Sequence, residues 1–311
     1  MDRGGVAGPM GALGLVLLSS LAGRSSGLLA PSLEDPSWAP RAPVLAALPR
    51  RVVSATVATD EILLALLPPE RIAALTVLAD DPRISSVTKE ARSVRGRVDA
   101  DAERILELDP DLVFVARYTE RAPLMLLESA GVPIVRLPFC SRLADVREAV
   151  LLVGRSVGEP EKAQALVREM DARIAAVAAR TADAPRPRVL FYTPGGYTAG
   201  KGTLFDEMLA AAGGINAAVE AGVEGPGNLS LERMLELDPD VLLVSDYIGD
   251  PKARGAAPER GLLKDPVWRE ASAVKSGRVR LLSERHLTCV SQHLGEAAEA
   301  MGRALHPELF P

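Results

Sequence analysis

Residues 103–115, Glu-Arg-Ile-Leu-Glu-Leu-Asp-Pro-Asp-Leu-Val-Phe-Val, return at 232–244 as Glu-Arg-Met-Leu-Glu-Leu-Asp-Pro-Asp-Val-Leu-Leu-Val, an offset of 129 residues. Nine of the thirteen positions are identical, and the other four exchange one apolar residue for another. A chain that repeats one helix-to-strand unit predicts two similar lobes. A ligand cleft between lobes then comes ahead of a single active-site pocket.

The repeat reads physically as helix, stop, buried strand. Asp101 and Ser230 hold equivalent places, and both are good N-cap residues. Glu103 and Glu232 follow in the first helical turn, where a carboxylate suits the helix dipole. Asp109-Pro110 and Asp238-Pro239 end each helix, because the residue before proline avoids right-handed helical geometry. Leu112–Ala116 and Val241–Ser245 are almost wholly apolar, as strands buried on both faces are. Helix and buried strand in alternation predict α/β lobes with mostly parallel sheets.

A length of 311 residues suits two such lobes. The 48% hydrophobic and 25% charged content is that of a folded chain. A net charge of −5 gives no footprint for nucleic acid. Cys140 and Cys289 show no Cys-x-x-Cys spacing, which removes a zinc ribbon or thioredoxin-type site. Two separate buried thiols are the plain reading, and pairing in an oxidising compartment stays open.

Residues 10–22 form an apolar run too short to span a bilayer comfortably. Ser20-Leu21-Ala22 offers small residues of the kind a signal peptidase accepts. Arg24 stands where a lipoprotein would need cysteine, so a secreted, unlipidated chain is expected. Five prolines at 31, 36, 40, 43 and 49 make the following stretch an extended tether. The expected division is a signal peptide at 1–30, the tether at 31–49, a first α/β lobe at 50–141, a linking backbone helix at 142–181 and a second α/β lobe at 182–311. Within the link, 142–157 and 161–181 have helical patterning, with a break at Gly158-Glu159-Pro160. A helix over 161–181 would reach about 30 Å and act as a rigid strut. The first lobe's opening helix is expected over Glu61–Leu67, capped by Thr59 or Asp60.

Several separate pieces of the chain resemble one family. They are Arg51-Val52-Val53-Ser54 with Thr59-Asp60-Glu61-Ile62-Leu63, the first repeat copy, Ala130-Gly131-Val132-Pro133, Gly200-Lys201-Gly202-Thr203-Leu204 with Ala212-Gly213-Gly214, and Leu305-His306-Pro307-Glu308. In this order, with a helix between the lobes, the chain is similar to the substrate-binding proteins of ABC importers for cobalamin, ferric siderophores and haem. The resemblance covers about 50–311. It implies a monomeric, non-enzymatic, extracytoplasmic receptor with no intrinsic cofactor. Such a receptor captures a metal chelate and hands it to a permease dimer with its ATPase subunits. It also implies docking through one surface glutamate per lobe, at Glu103 and Glu232. The repeat supports this independently, since a two-fold partner wants the same charge at both copies.

Ligands of open α/β sheets gather beyond the carboxyl ends of strands. That rule selects Thr56 and Thr59 after the first strand, and Tyr118 and Tyr247 after the two repeat strands, themselves 129 residues apart. Two tyrosines across a cleft suit stacking on a macrocycle or phenolate bonding to Fe(III); two tyrosines merely finishing their strands is the plainer alternative. Arg95 and Arg97, in the loop before the first repeat, suit an anionic ligand such as a siderophore carboxylate or a haem propionate. These favour an iron complex slightly over cobalamin. Tyr197 lies in Gly195-Gly196-Tyr197-Thr198-Ala199-Gly200-Lys201-Gly202. That is nearly a P-loop, but Gly202 takes the place of the metal-binding Ser or Thr, so a ligand-contacting loop is the better reading. His286 and His293 bracket a loop expected to border the cleft. His286 is the candidate axial ligand to a metal carried within a chelate. Two other classes remain: a two-lobed enzyme holding a metal cluster or nucleotide, and a sensor that keeps the lobes without transport.

Overall fold

Short strands of two to five residues make up the two large sheets, and all of them pair in parallel. The computed structural model describes residues 47–99, 101–193, 196–246 and 267–310. In the first lobe β1 (Val52–Ser54), β2 (Ile72–Thr76), β3 (Gly96–Val98), β4 (Leu112–Val115) and β5 (Ile134–Arg136) lie in the order β3-β2-β1-β4-β5. In the second, β6 (Arg188–Tyr192), β8 (Ile215–Asn216), β10 (Val241–Ser245) and β11 (Val279–Leu282) lie in the order β11-β10-β6-β8. A separate antiparallel pair joins β7 (Tyr197–Ala199) to β9 (Pro226–Asn228). Each repeat strand, β4 or β10, lies beside the first strand of its lobe. The arrangement β2-β1-β4-β5 in one lobe therefore matches β8-β6-β10-β11 in the other.

The main helices are α1 (Val57–Leu66), α2 (Ala102–Glu107), α3 (Leu143–Val157), α4 (Pro160–Thr181), α5 (Leu204–Ala211), α6 (Leu231–Leu237) and α7 (Leu294–Leu305). In the repeat, Asp101 accepts from the Glu103 backbone N–H at 2.9 Å and Ser230 from that of Arg233 at 3.2 Å. The pre-proline residues leave the helix into left-handed backbone: Asp109 at φ 49° and Asp238 at φ 39° are the non-glycine residues with positive φ among those described. The next aspartate clips the neighbouring strand. Asp111 accepts from the backbone N–H groups of Arg50 and Arg51 at 2.7 and 3.0 Å, and Asp240 from that of Arg188 at 2.8 Å. Arg51 and Arg188 in return donate to the carbonyls of Asp109 and Asp238 at 2.9 and 3.0 Å. The sequence repeat thus extends to a clamp between each Asp-Pro-Asp and the arginine that opens its lobe's first strand.

One expectation on boundaries changes. Helix α1 begins before Thr59, because Thr56 is the N-cap and its hydroxyl accepts from the Thr59 N–H at 3.0 Å. The linking segment breaks at 158–160 as read from the sequence, since Gly158 ends α3 in left-handed conformation at φ 79° and Pro160 opens α4.

The strut α4 has 22 residues, about 33 Å of helix. Ala163 is part of the first lobe's core with Val52, Ile62 and Leu152, while Met170, Ile174 and Val177 belong to the second lobe's core with Val189, Leu209 and Met301. One helix therefore serves two cores. It packs closely on both sides. A Cβ added to Gly154 of α3 would lie 2.3 Å from the Ala163 Cβ, and one added to Gly295 of α7 would lie 2.9 Å from the Arg173 Cβ. The apolar run at 10–22, Arg24 and most of the tether lie outside the described residues.

Candidate functional site

Both sheets reverse their strand order beside the first strand, between β1 and β4 and between β6 and β10. Such switch points open a crevice at the carboxyl ends of the strands. The two carboxyl edges meet in contact: Arg285, after β11, donates its backbone N–H to the carbonyl of Arg83, after β2, at 2.7 Å. Glu207 of α5 ties the second lobe to the start of α3, accepting from the Leu143 N–H at 2.7 Å and lying 3.6 Å from Arg142.

On the first lobe's edge, Thr56 and Thr59 are buried. Their hydroxyls close a network with Ser54, at 2.6 Å from Ser54 to Thr59 and 2.9 Å from Thr56 to Thr59. They shape the entry of α1 and keep their polar atoms within it. Tyr118 is 47% exposed and Phe139 is 43% exposed. Val115 and Arg136 are register partners on adjacent strands, and each of these aromatics stands three residues beyond its partner position. Cys140 is near enough to act electrostatically on the Tyr118 phenol. The two exposed rings thus follow the ends of adjacent strands, as an aromatic shelf on the carboxyl edge of the first lobe's sheet. Phe139 was missed from sequence, although the carboxyl-end rule that selects Tyr118 applies equally to the residues following β5.

The two arginines do not join that shelf. Arg97 is in β3, with its guanidinium committed to Asp80 at 2.8 Å and to the carbonyls of Ala91, Val94 and Gly96. It clamps its own loop, and this pairing holds the Asp80 carboxyl below its usual range. Arg95 is exposed and precedes β3, at the amino end of that strand.

On the second lobe's edge, Ser245 donates to the buried Glu284 at 2.5 Å, and Asp246 accepts from the Glu284 N–H at 2.8 Å. Burial raises the Glu284 carboxyl above its usual range. His286 follows, half-buried, in the short helix Glu284–Leu287. Burial first, and then the charge of Arg285, hold its imidazole below the ordinary 6.5, so it is neutral at pH 7 and its lone pair is available. Tyr197 is buried in β7, and its phenol oxygen has no hydrogen-bond partner among the described residues. His293 lies at the start of α7, with Nδ1 3.1 Å from Glu296. Tyr247 and the rest of 247–266, with 194–195, lie outside the described residues.

Glu103 and Glu232 are both exposed, on α2 and α6. Hydrogen bonds from its own backbone N–H and from Ser230 hold Glu232 below the usual carboxylate range. Both thiols are free, and burial pushes each up to about 12. Among the described residues, no group of three or more His, Cys, Asp or Glu is placed to hold a metal ion.

Comparison with known proteins agrees with this architecture. A cobalamin-binding protein of Halobacterium salinarum is 29% identical over 212 residues, covering 66% of this chain and 56% of the relative, so the chain spans little more than half of that protein's length. An uncharacterized ABC transporter substrate-binding lipoprotein of Bacillus subtilis is 25% identical over 273 residues, covering 84% of this chain and 82% of the relative. Among solved structures, the apo form of a periplasmic haem-binding protein from Roseiflexus sp. RS-1 superposes with a TM-score of 0.71 at 29% identity, covering 84% of this chain and 99% of that one. All three of these relatives are described as binding proteins. The model of the family described as periplasmic binding protein matches residues 52–285, and the chain belongs to that family.

Proposed function

We propose that this chain is the extracytoplasmic substrate-binding protein of an ABC importer, that it is not an enzyme, and that its cargo is a metal chelate of tetrapyrrole type. Haem comes first, cobalamin next, and a ferric siderophore after both. The observation that carries this reading is the shelf of Tyr118 and Phe139. Two exposed aromatics at the ends of adjacent strands offer a planar macrocycle a stacking surface. The neutral imidazole of His286, on the opposing edge, suits the metal centre of such a cargo. The commitment of Arg97 to Asp80 weakens the case for an anionic siderophore. Relatives described as binding haem or cobalamin support a tetrapyrrole cargo.

The proposed division is a first lobe at 50–141, a link at 142–181 and a second lobe at 182–311. A cleaved signal peptide in 1–30 and the absence of lipidation at Arg24 belong to the same proposal. So does docking of a monomer, through Glu103 and Glu232, on a permease dimer. The test is a titration of the purified chain with hemin, cyanocobalamin and ferrichrome, read by protein fluorescence and by absorption of the ligand. Saturable one-to-one binding of a tetrapyrrole is expected. Replacing Tyr118 or Phe139 by alanine should remove about 1 kcal/mol of stacking, roughly fivefold in Kd. Binding of ferrichrome alone, or of none of the three, would overturn the assignment.

A further inference from the structure

The lobes also meet where α1, the strut α4 and residues 288–296 converge around a cavity of about 220 Å³. Glu61 of α1 is 3% exposed there. One carboxylate oxygen accepts from the Ser86 N–H at 2.8 Å within the first lobe, and the other accepts from the hydroxyl of Ser291 in the second. The Gln292 amide donates to the Glu61 carbonyl at 2.9 Å, and the Ser291 hydroxyl accepts from the His293 N–H at 3.2 Å. Glu296 lies 3.1 Å from His293 and 3.4 Å from Arg173, which also pairs with Glu169 at 3.0 Å. Glu90 completes the charged lining.

We propose that this junction is a proton-operated brace between the lobes. With His293 protonated, the imidazolium offsets the charge of buried Glu61 from one lobe and of half-exposed Glu296 from the other. With His293 neutral, Glu61 shares the cavity with Glu90, Glu169 and Glu296, and Arg173 is the cation left to oppose them. The brace then slackens, and the lobes gain freedom about the strut.

Burial alone would push His293 down. The hydrogen bond to Glu296 and the charges of Glu61 and Glu296 outweigh it, against Arg173, and leave His293 above its ordinary 6.5. Burial likewise leaves Glu61 above its ordinary 4.5, despite the donors Ser291 and Ser86 and the charge of His293. A histidine raised in the braced form contributes fully below 6.5, and its contribution is lost as pH rises through the raised value. The neighbouring groups separate from it. His286 is shifted the opposite way, lowered with burial as the main cause. The Cys289 thiol, pushed up to about 12, stays protonated there. Asp60, raised to about 7, does titrate nearby, but its hydrogen bonds are to Thr76 within the first lobe.

The test needs no ligand. Glu107 and Glu236, both exposed and equivalent in the repeat, are replaced by cysteine and spin-labelled, with Cys140 and Cys289 replaced by alanine. The interlobe distance distribution is then measured between pH 6 and pH 9. One narrow distribution at pH 6 that broadens towards pH 9 is expected. Each unit by which His293 titrates higher in the braced form changes the population ratio about tenfold. His293→Gln should be broad at both pH values, Glu61→Gln narrow at both, and Asp60→Asn should keep the wild-type transition. A merely structural role would loosen the Glu61 and His293 variants alike. An unchanged wild-type distribution across the range would overturn the proposal, as would a full transition in His293→Gln. The wild-type scan decides even if a variant does not fold.

Discussion

Asp60 is a carboxyl with no solvent exposure in the first lobe. It accepts from the backbone N–H of Thr76 at 3.0 Å and from the Thr76 hydroxyl, tying α1 to the end of β2. Burial is the main cause that raises it from 3.8 to about 7, with the charge of Glu61 adding to it against the donors. A carboxyl raised on folding favours the folded state when protonated, so its contribution is full below 3.8 and is lost as pH rises towards 7. The asparagine isostere keeps the shape and carries no charge. In urea unfolding, the stability of Asp60→Asn relative to wild type should therefore improve between pH 4.5 and pH 8, by roughly 2 to 4 kcal/mol. A variant weaker than wild type by the same amount at both pH values would contradict this. Asp60 was visible in the sequence only as a possible helix cap. Its burial was not, because the pairing with Thr76 joins elements sixteen residues apart. The same limit hid the tie from Glu61 to Ser291 and the capture of Arg97 by Asp80, since composition and spacing reveal a charged residue and not the partner that neutralises it.

At the scale of elements, the sequence was most readable where a residue type dictates local geometry. The capped helix, the Asp-Pro stop and the apolar strand of each repeat copy appear as read, because N-capping, proline sterics and two-sided burial act within a few residues. The break at Gly158–Pro160 was equally plain. The strand order was not legible, nor was the pairing of Arg51 with Asp111 and of Arg188 with Asp240, since these depend on which strands become neighbours. The close crossing of α3 on the strut was also hidden, because an isolated helical glycine carries no label of the neighbour it admits. That crossing gives a direct prediction. Gly154→Ala places a methyl 2.3 Å from the Ala163 Cβ, and overpacking of this kind costs about 1–3 kcal/mol. Thermal unfolding should show that loss, and the double variant Gly154→Ala/Ala163→Gly should recover part of it. A single variant as stable as wild type would mean that α3 and the strut separate freely.

For the whole molecule, two matching lobes share a helix that is built into both of their cores, so the lobes cannot swing apart freely without exposing apolar side chains of that helix. The proposed docking uses the same symmetry. Charge reversal at Glu103 and Glu232 together should abolish ligand delivery in a reconstituted transporter and leave ligand affinity within about twofold, since exposed charges far from a cleft act weakly on it. A collapse in affinity would place those glutamates in the site or the fold. The preorganised cleft itself is tested most directly by the interlobe spin-label distance between positions 107 and 236, measured at pH 6 with and without saturating hemin or cyanocobalamin. The account predicts one distribution whose centre moves by about 1 Å or less on binding, as in other preorganised complexes. A broad or two-peaked distribution in the free protein that collapses to a shorter distance with ligand would contradict it.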